Sequence, residues 1–235
     1  MPVTTQRSEQ ASPVVNCVVL RVTSGLEVLL WQRRKAPEAG AWALPGGFVD
    51  RGEPLEAAAR RHLLEKVGVA GVAHLEQLNT TSNACGPGDA WLIDTLYLAL
   101  VPQGSEPRLP PDTSWHPVQE LPPVAFGHES AIGLAHQRLS GKLSYSNAAF
   151  ALMPERFTLR ELADVYAAVL GTRVAPTHLG RVLTRDGVLE ATGEQRSAGR
   201  NGGRPADEYA FQHEELVISR PLAAFRTLVR PAARR

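Results

Sequence analysis

Between Gly47 and Val69 the chain reads GFVDRGEPLEAAARRHLLEKVGV, and this segment restricts the fold more than any other. It spells a loop, a helix and a second loop. Pro54 stands where a first helical residue belongs, because its fixed φ suits a helix start and its missing N–H would lack a partner there anyway. Alanines at 57–59 favour the helix, and Gly68 supplies a left-handed stop. The expected helix is Pro54–Val67. Its polar residues keep fixed intervals: Gly47, then Glu53 and Arg61, then Leu63, Glu65, Gly68 and Val69. Residues three and four apart share a helix face, so His62, Glu65 and Lys66 fall together.

This spacing, with Pro45-Gly46-Gly47 just before it and Trp42 upstream, resembles the Nudix box. The resemblance implies a Nudix fold and a chemistry of metal-assisted cleavage at a nucleoside diphosphate linked to another group. In the full pattern three glutamates on one helix face gather Mg²⁺, a hard cation that prefers carboxylate oxygens and can activate a water. Here the three positions are His62, Glu65 and Lys66, and only Glu65 is a carboxylate. Histidine is a poor Mg²⁺ ligand. Lysine brings a fixed positive charge: two unit charges ~4 Å apart at an effective dielectric of ~20 repel by about 4 kcal/mol. Metal-dependent turnover is therefore expected to be weak or absent, with no required cofactor and Mg²⁺ relevant only to residual hydrolysis.

Ligand binding can outlast such a loss. Arg33, Gly46, Gly47, Glu53, Glu65 and Lys66 form the expected ligand-binding set, with Arg33 as the upstream cation for a phosphate. Lys66 has two readings, a partner for a diphosphate in place of the metal or a solvated helix residue. Arg33 likewise reads as a phosphate contact or as a surface arginine. Glu53, Glu56 and Glu65 are the carboxylates still placed to reach a metal. Equally, Glu56 can pair with Arg60 and Glu65 with Arg61 at i,i+4 spacing.

Around the box the first half reads as mixed α/β (α+β). Pro13–Val22 is a strand rich in β-branched residues, and Leu26–Arg33 returns after a Ser24-Gly25 turn. Trp42–Val49 carries the Pro-Gly-Gly turn, and Leu92–Val101 is a further apolar strand. A proline-rich stretch, 107–123, precedes a helix over Ser130–Leu139 that Gly141 is expected to break. Two cysteines, Cys17 and Cys85, allow neither a disulfide framework nor a metal cluster. The first residues lack a basic stretch followed by an apolar one, and no uncharged run approaches the ~20 residues of a membrane span. A cytoplasmic protein is expected, with no membrane partner.

The net charge of +1 conceals an asymmetry: residues 1–140 carry 11 Lys/Arg against 14 Asp/Glu, and residues 141–235 carry 14 against 10. The division at 140/141 separates a ligand-sensing domain from a second one with a different texture. There a short apolar helix over 147–153 is followed by Leu159–Leu170, capped by Thr158 with Glu161 completing a capping box. Thr177–Thr184 is a second helix despite Gly180, and strands at Val188–Thr192 and Glu208–Gln212 flank a glycine- and arginine-rich loop. This outline is a winged helix-turn-helix. Thr177, His178, Arg181 and Arg185 belong to its recognition helix, and Arg196, Arg200 and Arg204 to its wing, positioned for phosphates or a minor groove. The competing reading of the wing is a solvated loop, and that of the domain a protein-interaction module.

Taken with PVAFGHESAI (123–132), KLSYSNAAFALMPERFTLRELADVYAAVLG (142–171) and GRPADEYAF (203–211), the chain resembles the Nudix-related transcriptional regulators of the NrtR type. That resemblance implies an N-terminal domain binding ADP-ribose or a related nucleotide. It also implies a C-terminal domain that binds a palindromic double-stranded DNA operator as a homodimer, usually near genes of NAD or sugar metabolism, and a degenerate box. Gly127 departs from the aspartate expected before His128. The rival is an active ADP-ribose pyrophosphatase with an accessory domain.

Overall fold

The computed structural model describes residues 11–83, 91–105, 107–197 and 205–219. Strands β1 (Ser12–Val22) and β2 (Leu26–Gln32) form the expected hairpin, with Leu20 opposite Val28 and Val22 opposite Leu26. The segment 42–49 around the Pro-Gly-Gly turn holds two short strands: β3 (Trp42–Ala43) pairs with β2, and β4 (Gly46–Phe48) pairs with β1. The switch falls at Pro45, which has no N–H to give a ladder. Helix α1 (Leu55–Val67) begins one residue later than expected, with Pro54 as its cap, and Gly68 at φ 68° ends it.

β5 (His74–Asn83), β6 (Leu92–Leu100) and β7 (Thr113–Pro117) complete the sheet. Its order is β3-β2-β1-β6-β5, with β7 also on β2 and with β1 parallel to β6. Neither β5 nor β7 is expected from the sequence. β5 is polar because it lies at the sheet edge, and β7 sits inside the proline-rich stretch.

Side chains alternate between two cores. Val15, Cys17, Val19, Leu29 and Ala99 pack under Ala58, Ala59, Leu63 and Val67 of α1. On the opposite face Val18, Leu20, Leu30, Leu98 and Leu100 pack under Ile132, Ala135 and Leu139 of α2 (His128–Lys142). A helix on each face explains why β1 is apolar along nearly its whole length. Cys17 is part of this core, and burial pushes its thiol up to about 12. Cys85 lies outside the described residues.

Helix α2 runs through Gly141, which was expected to end it, so the division at 140/141 falls within its last turn. The packing of Leu139 and a Leu143 N–H bond to the Leu139 carbonyl hold that turn. They outweigh the ~1 kcal/mol that an internal glycine costs.

The second part is a winged helix. The apolar helix expected over 147–153 is a 3₁₀ turn at Ala148–Leu152. β8 (Phe157–Thr158), α3 (Leu159–Leu170), α4 (Pro176–Arg185), β9 (Leu189–Arg196) and β10 (Ala206–Phe211) follow, and the strands form a sheet in the order β8-β10-β9. The capping box at Thr158 is formed, with the Glu161 N–H on Thr158 Oγ1 and the Thr158 N–H on Glu161. Gly180 has a packing reason: a Cβ there would sit 2.4 Å from Leu159 Cδ1, so the missing side chain lets α4 close onto α3. Phe157, Leu162, Val165, Leu179 and Leu183 join the same core as α2 and the sheet. Among the described residues no helix is long and apolar enough to cross a membrane.

Candidate functional site

The first site lies where β2, β4 and the C-terminal half of α1 converge. β2 ends at Gln32, with Trp31 its penultimate residue and Arg33 the first residue beyond it. Gly46 and Gly47 bring backbone against them. A Cβ at Gly46 would stand 2.2 Å from the Val15 carbonyl oxygen, and one at Gly47 would stand 2.7 Å from His62 and 3.0 Å from Lys66 Nζ. Only glycine admits this approach, and it seats two side chains of α1 on the loop. His62 Nε2 is 2.9 Å from the Phe48 carbonyl; because a carbonyl only accepts, the imidazole proton belongs on Nε2. Burial lowers the His62 pKa, and the nearby Lys66 and Arg61 add to the effect.

Lys66 donates to the Gly46 carbonyl, and its ammonium lies 5.3 Å from the Trp31 ring centroid. Burial pushes its pKa down, and Arg33 and Arg61 push in the same direction. Among the described residues no carboxylate pairs with it. Lys66 is thus partly withdrawn from solvent and bonded to the loop.

The acids of the box are engaged elsewhere. Glu53 accepts two bonds from Arg61, at 2.8 and 2.6 Å, and one from the Asp50 N–H at 3.0 Å. The Arg61 bond, then the backbone one, holds its carboxyl down at about 2. Glu56 pairs with Arg60 at 3.0 Å, and Glu65 lies 3.8 Å from Arg61. The helix thus uses its carboxylates as i,i+4 partners and as a staple to the preceding loop. Among the described residues no group of three or more His, Cys, Asp or Glu side chains converges as a metal site. A divalent cation does not fit this box as it stands: its carboxylates are paired with Arg60 and Arg61, and an ammonium sits on the Gly46 carbonyl.

Arg33 connects this loop to the start of α2. Its Nε donates to the Pro37 carbonyl at 3.0 Å, and its guanidinium lies 4.5 Å from the centroid of the Phe126 ring. Phe126, 48% exposed, and Glu38 both have positive φ, at 58° and 57°, and the Phe126 N–H meets the Glu38 carboxylate at 3.2 Å. Non-glycine residues in this region are costly, and such conformations concentrate at functional sites. Behind Phe126, His128 Nδ1 accepts from the Leu44 N–H at 3.1 Å, and burial pushes its pKa down to about 4. Gly127 is the cap residue of α2 at φ 67°, with no side-chain cap bond. Of the expected set, Arg33, Gly46, Gly47 and Lys66 come together, whereas Glu53 and Glu65 point into the Arg61 network. Trp31, Glu38, Phe126 and His128 were missed. Period-2 spacing from Arg33 would have found Trp31, and Phe126 and His128 lie within PVAFGHESAI.

The second site is on α4. Leu179, Gly180 and Leu183 are buried, and Thr177, His178, Arg181 and Arg185 are exposed along the opposite side. Arg181 lies 3.0 Å from His178 Nδ1, and Arg185 pairs with Asp186 at 3.1 Å. Arg196, expected as a wing cation, is exposed but already paired with acids of its own chain. It pairs with Glu161 at 2.6 Å and Glu208 at 2.7 Å, and also reaches the Arg156 carbonyl. Arg200 and Arg204 lie outside the described residues.

These features match known proteins. The model of the NUDIX domain matches residues 11–135, and that of the NrtR DNA-binding winged helix domain matches residues 149–211. An ADPR responsive transcriptional repressor, NtrR of Acinetobacter baylyi, is 33% identical over 231 residues, covering 92% of this chain and 89% of its own. The crystal structure of Shewanella oneidensis NrtR complexed with a 27mer DNA matches with a TM-score of 0.72 at 31% identity, over 90% of this chain and 95% of that one. The NUDIX domain of the same protein, cocrystallised with ADP ribose, matches with a TM-score of 0.50 at 32% identity, over 58% of this chain and 94% of that one. With both domains matched in order and a relative this similar across nearly its full length, the chain belongs to the NrtR-type Nudix regulators.

Proposed function

We propose that this protein is a transcriptional repressor that binds operator DNA through α4 and the wing and senses ADP-ribose or a related nucleotide through its Nudix domain. One observation carries the reading: α4 buries Leu179 and Leu183 and leaves Thr177, His178, Arg181 and Arg185 on an exposed face, while in the Nudix box Lys66 sits on the Gly46 carbonyl at a position where a metal-binding carboxylate would otherwise stand. A hydrolase needs the second feature reversed and has no use for the first. The relatives support the pairing of partners, one being ADPR responsive and another having been crystallised with DNA and, as its Nudix domain, with ADP ribose.

In this reading the nucleotide lies over the Gly46-Gly47 loop, its phosphates facing Arg33 and Lys66. The arginines of α4 face base edges and phosphates in a major groove. A homodimer places two such helices on palindromic half-sites. With His62 and Lys66 at two positions where the full box carries carboxylates, this reading expects no requirement for Mg²⁺ and weak or absent turnover.

Fluorescence anisotropy with DNA from the protein's own upstream region tests this. Binding should be tight, should weaken steeply with salt, and should shift when ADP-ribose is added. Absence of specific DNA binding together with Mg²⁺-dependent release of AMP from ADP-ribose would return the protein to the hydrolases.

A further inference from the structure

Lys66 is a half-buried cation that no carboxylate pairs among the described residues. Three elements enclose it: the Gly46 carbonyl from β4 accepts its proton, the Trp31 ring from β2 lies 5.3 Å away, and α1 supplies the lysine itself. Arg33 adds a second positive charge close enough to be felt at Lys66. Arg61 is satisfied by Glu53, Asp50 and Glu65, so the surplus positive charge is at Lys66 and Arg33. An ammonium partly withdrawn from water is stabilised when a counter-charge completes it. Two of its three donors remain for such a charge once Gly46 is served.

The place of this ammonium decides what it can do. It bonds a backbone carbonyl of the phosphate-facing loop, an oxygen of the kind a hard cation would take, and it comes from a box position where a glutamate would otherwise help to hold that cation. We propose that Lys66 substitutes for the divalent ion: it binds the diphosphate of the nucleotide directly, with Arg33, so that ligand recognition needs no metal. The substitution has a chemical consequence. An ammonium can neutralise a diphosphate as a metal does, but it does not bind and acidify a water, so the site retains recognition and lacks the nucleophile for hydrolysis.

The inference rests on the nucleotide reading above and is tested separately from it. ADP-ribose and, in parallel, ADP are titrated calorimetrically into the full-length protein, in EDTA and in MgCl₂, for the wild type and Lys66→Met, with thermal melts to establish that the variant folds. The expected result is a wild-type Kd that agrees within about twofold with and without Mg²⁺. Lys66→Met should bind about tenfold more weakly or worse, in keeping with loss of a charge-assisted bond. A wild-type affinity that rises tenfold on adding Mg²⁺ overturns the inference and leaves the ligand reading standing, as does a folded Lys66→Met of undiminished affinity. If Lys66→Met does not fold, Lys66→Gln and the wild-type metal dependence decide the matter. Lys66-dependent, EDTA-resistant binding of ADP without binding of ADP-ribose upholds the inference and removes ADP-ribose as the ligand. Binding of neither nucleotide overturns both.

Discussion

His128 shows how one side chain couples chemistry to stability at the edge of the ligand site. Its Nδ1 accepts the Leu44 N–H, so the neutral ring carries its proton on Nε2, and protonation of Nδ1 breaks the bond. Burial holds its folded pKa at about 4 against an ordinary 6.5. Above pH 6.5 the group has no effect on stability; as pH falls from 6.5 to 4 the unfolded chain takes up a proton that the folded chain refuses, and stability declines. The displacement corresponds to about 3 kcal/mol. His128→Asn, which keeps an acceptor without titrating, should flatten this part of a pH–stability curve measured by urea unfolding. An unchanged acid slope would place the sensitivity elsewhere, with His62 and His116 the next histidines shifted downward by burial. Gly180 acts at the same scale. A methyl group there meets Leu159, so Gly180→Ala should destabilise the winged helix by about 1–3 kcal/mol through overpacking, read as a lower melting temperature and weaker operator binding.

At the scale of elements, α4 and the wing divide the arginines into two kinds. Arg181 and Arg185 lie on the open face of α4, whereas Arg196 has its guanidinium committed to Glu161 and Glu208 and so staples β9 to α3 and β10. Arg181→Ala is expected to weaken operator binding by about 1–3 kcal/mol. Arg196→Ala should leave the slope of log affinity against log salt unchanged, because a cation already neutralised by two carboxylates releases few counterions. A slope reduced by about one in Arg196→Ala would mean that DNA displaces those carboxylates. The wing was expected to offer three equivalent arginines from their spacing alone. Spacing along a loop does not reveal an acid that arrives from another helix, as Glu161 does.

At the scale of the molecule, α2 joins the two parts. Its N-terminal end adjoins Phe126 and Arg33, its middle covers the sheet, and His136 Nε2 reaches the Val169 carbonyl of α3 at 2.7 Å. Its C-terminal end is tied to β5 by Glu76, which accepts from Lys142 at 2.7 Å and lies 3.2 Å from His74 and 3.4 Å from Arg138. Burial works to raise the Glu76 carboxyl, but the His74 and Lys142 bonds outweigh it and hold it at about 2. Its contribution is present above the ordinary carboxylate pKa of 4.5 and is lost as pH falls toward 2. Glu76→Gln leaves Lys142 without a carboxylate and should cost about 2 kcal/mol. Because one apolar cluster runs from Val18 through Leu139 to Leu189, the protein should melt in a single cooperative transition in calorimetry. Two separated transitions would show that the parts are independent. Any coupling between nucleotide and DNA, on the usual scale of 1–3 kcal/mol, has α2 as its physical connection.

Local and periodic signals settled much of this protein in the linear chain. The box intervals, the alternation of β1 and β6, the capping box at Thr158 and the amphipathic spacing of α4 act over a few residues, so pattern alone reports them. The loss of carboxylates at 62 and 66 was equally legible, since it is a matter of identity. Other features depended on contacts between residues far apart in sequence. β5 is a strand because β6 offers it an edge, and Gly180 is tolerated because Leu159 needs the space. Arg196 is engaged by acids on two other elements, and among the described residues Lys66 has no carboxylate partner because Arg60 and Arg61 have taken those of the box. Burial and pairing belong to the folded surroundings, and no residue carries them alone.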